Sequence, residues 1–585
     1  MSGKRTAFVV VSLATLAVFF LLFLVYPVLY VLKGSVMWQG KWTSSFFTLS
    51  LDNPVLRGAI VNSLLLGLTV TIVTTVVSLP LAMVTVRRDF PGKRWLTALI
   101  LLPMILPPFV GAIGMKQMFA RMGSINLLLG KIFWGVTWLL SELGLMSGPW
   151  EMPMVEWLGA SGFWGVVVLE TLHLYPIMYL NVAASLASVD HSCEEAGYNL
   201  GASRWNVFRR ITFPLMLPGY FAGASIVFIW AFTDLGTPLI LRFRQVVPIQ
   251  IFEMVSDVNR NPMGFALVVM VLTVTVLAFV AARAFVRGRL HSVATKGGTA
   301  AVARRATPWG SFFILLFILT LTFVAVIPHI AVVLSSVTTP GGWQGTVLPT
   351  ELTVEHYRTL LTPPVPGTTP AAIVGLRNSL IYSSLATAGA VILGVLIAYL
   401  LTRERFPGQA VLDTTVMVPL ALPGIILAFG YLACFHRGVL NPMTNPAPLL
   451  VISYIVRRMP YMVRAAVAGF QHVSRELEEA SINLGARPFA TLRRITIPLV
   501  LANLIAGAIL TFVFSMFEVS QSLVLAQKPT FYPISRVLYR LFGRLADGPY
   551  LASAMGVIGM VVLAAGLFVA GKFLGRRLGE IFRVG

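Results

Sequence analysis

Six side chains in this sequence place charge or a titratable ring inside otherwise apolar stretches: Glu170, His173, Asp234, Arg457, Arg458 and Glu518. Ionised groups are costly in hydrocarbon and normally face the interior of a helical bundle or a wet cavity, so all six are candidates for lining a path through one. Asp234 and Glu518 lie 284 residues apart, at matching points of an internal repeat. Two carboxylates so placed either face each other, where they would help admit a cation, or each caps or pairs within its own half. Glu170 is a suitable buried partner for Arg457 or Arg458, and the same arginines would receive an anion. His173 has no companion at ligand spacing and reads as packing, so no metal site is expected. Other chemistries lack their residues. No nucleophile and base combination is recognisable, Cys193 and Cys434 make neither a disulfide framework nor a metal set, and no GxxxxGK[ST] loop occurs. The expectation is a chain that is not an enzyme and binds no cofactor itself.

The elements that must position these groups are apolar. The chain has 585 residues, 57% hydrophobic and 11% charged, with a mean hydropathy of +0.84. The net charge of +22 would suit nucleic acid, but the basic residues are spread over short connections between apolar blocks. They are better explained by anionic membrane lipid, and no nucleic-acid partner is expected. Twelve blocks of about 20 residues or more, the length a helix needs to cross a bilayer, cover 8–32, 60–85, 97–118, 163–187, 214–236, 263–284, 310–336, 377–401, 413–435, 449–470, 498–522 and 551–571. The fourth and tenth are interrupted by charge and contain Pro176 and Pro460, a common combination where spans line a cavity. The run from Phe8 to Leu32 has no small-residue cleavage pattern and reads as a span, not a signal peptide. Basic groups crowd the N-terminus, Arg87 to Arg94, Arg283 to Arg305, Arg403 to Arg405 and the tail with Arg576 and Arg577. Twelve spans put all of these on one side, which the positive-inside rule makes cytoplasmic, with both termini inside.

Two polar islands share that side. Residues 194–218 and 478–500 repeat one pattern, with Glu195 on Glu479, Ala196 on Ala480, Gly201 on Gly485 and Pro214 on Pro498, each 284 residues apart. The periodicity predicts two short helices meeting at the glycine, with Glu195 and Glu479 in a first turn where the helix dipole favours a carboxylate. The repeat extends outward. Asn62-Ser63 recurs as Asn378-Ser379, Phe90-Pro91-Gly92 as Phe406-Pro407-Gly408, and Pro103 and Pro107 as Pro419 and Pro423, all offset by 316. Two parallel six-span repeats, 1–285 and 310–585, joined by a cytoplasmic linker 286–309, are therefore expected. The first repeat carries 32 additional residues in an external, Trp-rich region around 119–160, for which an interfacial helix near 127–140 is expected.

At the islands the sequence resembles the membrane subunits of bacterial ATP-binding-cassette (ABC) importers, whose cytoplasmic loop reads roughly EAAxxLGAxxxxxFxxIxLP. Glu195-Ala196-Gly197, Leu200-Gly201-Ala202, Phe208, Ile211 and Pro214 fit it, as do Glu479-Ala480-Ser481, Leu484-Gly485-Ala486, Leu492, Ile495 and Pro498. Gly197, Ser481 and Leu492 are the departures. The resemblance implies an all-α, type I importer permease fold in the bacterial inner membrane. It further implies that the islands are coupling elements for a homodimer of cytoplasmic ATP-binding subunits, which use ATP and Mg, and that a periplasmic or extracellular solute-binding protein delivers the cargo. The fused two-half arrangement looks most like ferric-iron permeases, and is similar to those for thiamine and to some for phosphonate (2-aminoethylphosphonate) or polyamine. An ATP-independent secondary transporter would also use parallel halves, but has no reason for two such islands.

Overall fold

A computed structural model of the chain describes residues 2–105, 107–159, 162–258, 261–289, 304–362 and 372–574. Most of the linker and the Arg576-Arg577 tail lie outside the described residues. The first half contains helices Ala7–Val36, Pro54–Arg87, Pro108–Phe119, Phe163–Ala187, Phe213–Thr233 and Met263–Arg289. The second contains Pro308–Ser336, Ala372–Arg403, the pair Gln409–Ala421 and Gly424–Cys434, Ala447–His472, Ile497–Met516 and Gly548–Leu574. We number these spans 1 to 12 in chain order. Among the described residues ten helices are long and apolar enough to cross a membrane, and the bent pair makes an eleventh. Span 10 is long enough, but its arginines keep it out of that apolar count.

The third and ninth spans differ from the unbroken blocks expected. Residues 93–119 form three pieces, Lys93–Ile100, Leu102–Ile105 and Pro108–Phe119. Span 9 turns through 100° at Leu422-Pro423. Prolines that cannot donate to the preceding turn explain both breaks, and the first half, with three of them, breaks more often. By contrast, the helices of spans 4 and 10 continue through Pro176 and Pro460.

The two halves are held together by an exchange of first spans. Span 1 packs on the second piece of span 9, and span 7 on Pro108–Phe119. Both contacts use a proline of one half against a glycine of the other. A Cβ added at Gly114 would lie 1.7 Å from the Pro328 carbonyl oxygen, and one at Gly430 would lie 3.1 Å from Pro27. At Gly114 only glycine permits so close a backbone approach. The Tyr431 hydroxyl also donates to the Phe23 carbonyl, which lies in a π-turn of span 1.

The repeated Asn-Ser pairs have equivalent jobs near the bundle's far end from the islands. Asn62 Nδ2 donates to the Gln245 carbonyl at 3.1 Å, and Ser63 Oγ accepts from the Val247 amide at 2.9 Å. In the second half Asn378 Nδ2 donates to the Tyr532 carbonyl at 3.1 Å, and Ser379 Oγ accepts from the Ile534 amide at 2.8 Å. Each serine thus satisfies an orphan amide at the start of a short helix, Val247–Glu253 or Ile534–Phe542. These two helices touch across the halves, Phe252 edge-on to Tyr539 with the Arg536 guanidinium 5.7 Å from the Phe252 ring centre.

The additional segment of the first half contains the expected helix, Ser124–Glu142, with Trp134 and Trp138 exposed on it. The chain then folds back along the helix. Asn126 bonds the Val155 carbonyl and the Trp157 indole, and Thr137 bonds the Trp150 backbone. At the linker's described end, Arg304-Arg305 pairs in parallel with Arg88-Asp89.

Candidate functional site

Each island is a helical hairpin. Asp190 accepts from the Ser192 amide and starts His191–Asn199, and Ser474 accepts from the Glu476 amide and starts Arg475–Asn483. The first helices end alike. Gly201, at φ +81°, donates its amide to the Tyr198 carbonyl, and Ala202 to Gly197. Gly485, at φ +88°, donates to Ile482, and Ala486 to Ser481. This double bond pattern requires a left-handed residue, which accounts for the repeated glycine. A four-residue helix and a π-turn follow in each half, Phe208–Thr212 and Leu492–Thr496, before spans 5 and 11 begin. Pro214 and Pro498 come two residues after the π-turns, within continuous helical runs.

The hairpin tips are apolar and bare. Leu200 is 88% exposed and Leu484 90%, with Trp205 also exposed. Ala196, Glu195, Ala480 and Glu479 lie on the open surface beside them. Gly197 is buried: a Cβ there would meet Ile211 at 2.8 Å. Ser481, at the matching position, bonds the Thr491 hydroxyl at 2.9 Å.

The helices start one turn earlier than expected, so Glu195 and Glu479 are not in the first turn; Glu194 and Glu478 are. Glu194 is almost covered, its side chain 8% exposed, and accepts from Arg87 Nη2 at 2.7 Å and Thr212 Oγ1 at 2.6 Å. Glu478 accepts from Arg403 Nε at 3.0 Å and Thr496 Oγ1 at 2.9 Å. Glu195 is half exposed and reaches only His191, at 3.3 Å. Sequence reasoning passed over Arg87, Glu194, Thr212, Arg403, Glu478 and Thr496. The signal was present, since the first and fourth of these repeat at 316 residues and the others at 284.

The charged groups within the bundle form two clusters, one per half. Glu170 Oε1 accepts from Thr237 Oγ1 at 2.6 Å, and Asp234 Oδ2 accepts from the Thr237 amide at 2.7 Å, where span 5 ends. Glu518 pairs with Arg458, whose Nη2 also donates to the Phe514 carbonyl at 2.9 Å and whose guanidinium stands 5.6 Å from the Phe514 ring centre. Arg457 donates to the Leu422 carbonyl at the break in span 9. His173 Nδ1 stands 3.2 Å from the Pro103 carbonyl oxygen, in the broken third span. The expected pairing of Glu170 with Arg457 or Arg458 is not formed, because Glu518 on span 11's end reaches Arg458 first and Thr237 reaches Glu170. Asp234 and Glu518 do not bond each other either. They flank the place where the halves meet, with a Cβ at Gly236 only 3.3 Å from Val519. Among the described residues no three His, Cys, Asp or Glu side chains stand together as a metal site.

A duplicated helical bundle with a bare-tipped hairpin in each half is matched over residues 74–291 and 390–580 by the family of binding-protein-dependent transport system inner membrane components. The chain belongs to that family. It is thus the multi-pass inner-membrane component of an ABC importer, a transport subunit that works with an ATPase and a solute-binding protein. A putative ferric transport system permease of Haemophilus influenzae is 27% identical over 555 residues, covering 93% of this chain and 81% of that one. A ferric transport system permease of Actinobacillus pleuropneumoniae is 27% identical over 574 residues, 97% of this chain and 78% of that one. A second Haemophilus influenzae protein, an Fe(3+)-transport system permease, is 23% identical over 88% of this chain and 90% of its own length.

Proposed function

We propose that this chain is the permease of a ferric-iron importer, with each hairpin seated on one subunit of a homodimer of cytoplasmic ATP-binding proteins. Those subunits use the ATP and Mg, and this chain binds no cofactor. A periplasmic or extracellular solute-binding protein delivers the cargo at the opposite face, and both termini are cytoplasmic beside the hairpins. The observation that carries the reading is the pair of bare leucines, Leu200 and Leu484, held at equivalent tips by the same glycine cap. A lone exposed leucine is ordinary, but the same one repeated at both tips, beside exposed Ala196, Trp205 and Ala480, supports a protein contact there. Support for iron is the agreement of three relatives, each matched over most of both chains. A trivalent ion cannot cross an apolar bundle uncompensated, and Glu170 and Asp234, which among the described residues have no arginine partner of the kind Glu518 has in Arg458, are the carboxyl groups placed to meet one where the halves meet.

The test is copurification in mild detergent followed by uptake of radioactive ferric citrate into cells deleted for this chain and complemented with it. Two ATPase copies per permease and restored iron uptake are expected. With Gly201→Glu and Gly485→Glu together the chain should insert normally but lose transport-coupled ATP hydrolysis. An isolated chain with no ATPase would overturn the docking; an intact complex that restores uptake of thiamine or 2-aminoethylphosphonate and not of iron would overturn the cargo.

A further inference from the structure

We infer that spans 2 and 8 are the rods that carry hairpin movement to the far end of the bundle, each pinned at one end by a partly buried arginine-glutamate-threonine tie and at the other by an Asn-Ser grip. The inference rests on the hairpins being the ATPase docking elements, and adds how their displacement is transmitted.

Arg87 and Arg403 are the last helical residues of spans 2 and 8. In each half one carboxylate joins three segments: Arg87 or Arg403 ends the rod, Glu194 or Glu478 belongs to the hairpin, and Thr212 or Thr496 closes the π-turn that opens span 5 or 11. π-turns are rare and concentrate at functional places. Here the same one occurs twice, and each time its last residue is the threonine that bonds the carboxylate. The second half reinforces the joint, with Arg403 Nη2 on the Val473 carbonyl at 2.9 Å and Arg475 on the Thr402 carbonyl. A tie whose charged side chains are only 7–17% exposed resists slipping, because opening it gives up charge-assisted hydrogen bonds. The hairpin therefore cannot shift without taking the end of the rod with it.

At the other end of the same helices stand Asn62-Ser63 and Asn378-Ser379, 25 residues from the arginines, or about 37 Å along a helix rising 1.5 Å per residue. They grip the starts of Val247–Glu253 and Ile534–Phe542, the two short helices that touch across the halves at Phe252 and Tyr539. The path from hairpin to this contact thus runs through one continuous helix per half. A staple that merely held the hairpin in place would explain the tie at one end of each rod, but not the matching grip at the other.

The experiment uses the whole complex in proteoliposomes, with Cys193→Ser and Cys434→Ala as background and spin labels at Ser256→Cys and Leu545→Cys, exposed positions just beyond the two short helices. Their separation is measured by pulsed electron resonance without nucleotide and after ATP turnover with vanadate, which replaces the released phosphate and traps ADP. The tied protein should show a clear change in separation. Glu194→Gln with Glu478→Gln should keep the ATPase bound and hydrolysing but lose more than half of that change, and the exchange Arg403→Glu with Glu478→Arg should restore part of it. Ser379→Ala should lose it likewise. Combining Ser379→Ala with Glu478→Gln should add little, although sites this far apart ordinarily add. A full distance change in the ATPase-bound double-glutamine protein, or strict additivity of the two distant substitutions, overturns the rod. Failure of the ATPase to bind the unmodified chain instead overturns the docking reading on which it rests.

Discussion

Replacing Gly114 and Gly430 by alanine, separately, tests whether the exchanged first spans hold the two halves together. The positions are equivalent in the repeat, and both face a proline on the other half's first span, yet the space at each differs. An alanine Cβ at 114 would stand 1.7 Å from the Pro328 carbonyl oxygen and 2.8 Å from its carbon. Real Cβ contacts begin near 3.0 Å, so the span 7 backbone must withdraw by about 1.3 Å. At 430 the contacts are with Pro27 Cβ and O, both at 3.1 Å, and a few tenths of an ångström suffice. Overpacking a close-packed interior costs about 1–3 kcal/mol, sometimes more. Moving backbone places Gly114→Ala at or above the top of that range, and Gly430→Ala should cost under about 1 kcal/mol. The assay is the apparent melting temperature in one mild detergent at a single scan rate, since unfolding of such proteins is seldom reversible. Gly114→Ala should melt clearly below the unmodified protein and Gly430→Ala close to it. Equal melting of Gly114→Ala and the unmodified protein, or a larger loss from Gly430→Ala, would refute the packing argument.

Removing one member of the Arg458–Glu518 pair strands the other, so Arg458→Ala and Glu518→Ala should each cost about 3–5 kcal/mol, seen as lower yield and melting temperature. The double substitution should cost much less than their sum, and simple additivity would show that the pair does not act as one. Cys193 is exposed on the first hairpin and unpaired. A membrane-impermeant maleimide should therefore label it in inverted vesicles and not in right-side-out ones; the opposite pattern would place the hairpins outside.

Much of the machinery was legible in the chain because its determinants are local. Gly201 and Gly485 suit a left-handed helix end, and Asp190 and Ser474 a start, which puts Glu194 and Glu478, not Glu195 and Glu479, in the first turn. Arg87 and Arg403 were less legible. Counted as charges that orient the protein in the membrane, they are partners of glutamates 107 and 75 residues away. Their repetition was visible, but a charge near a membrane surface has a sufficient explanation without a partner, and nothing local distinguishes the two. Asp234 and Glu518 had two readings open, and the structure shows the second, pairing within each half: a helix ends just before each, and Asp234 takes the Thr237 amide while Glu518 takes Arg458 of span 10.

By itself the sequence determined that the chain is a bundle of apolar helices, that it is duplicated, and the form of the hairpins, since hydrophobic length, repeat offset and capping act over a few residues or are counted along the chain. Only the tertiary structure decided which glutamate is tied and which is bare, that the first spans cross to the opposite half, and that the Asn-Ser pairs grip helices more than 150 residues further on. Those outcomes depend on which side chains come within about 3 Å of one another, and the packing of helices distant in sequence sets that separation.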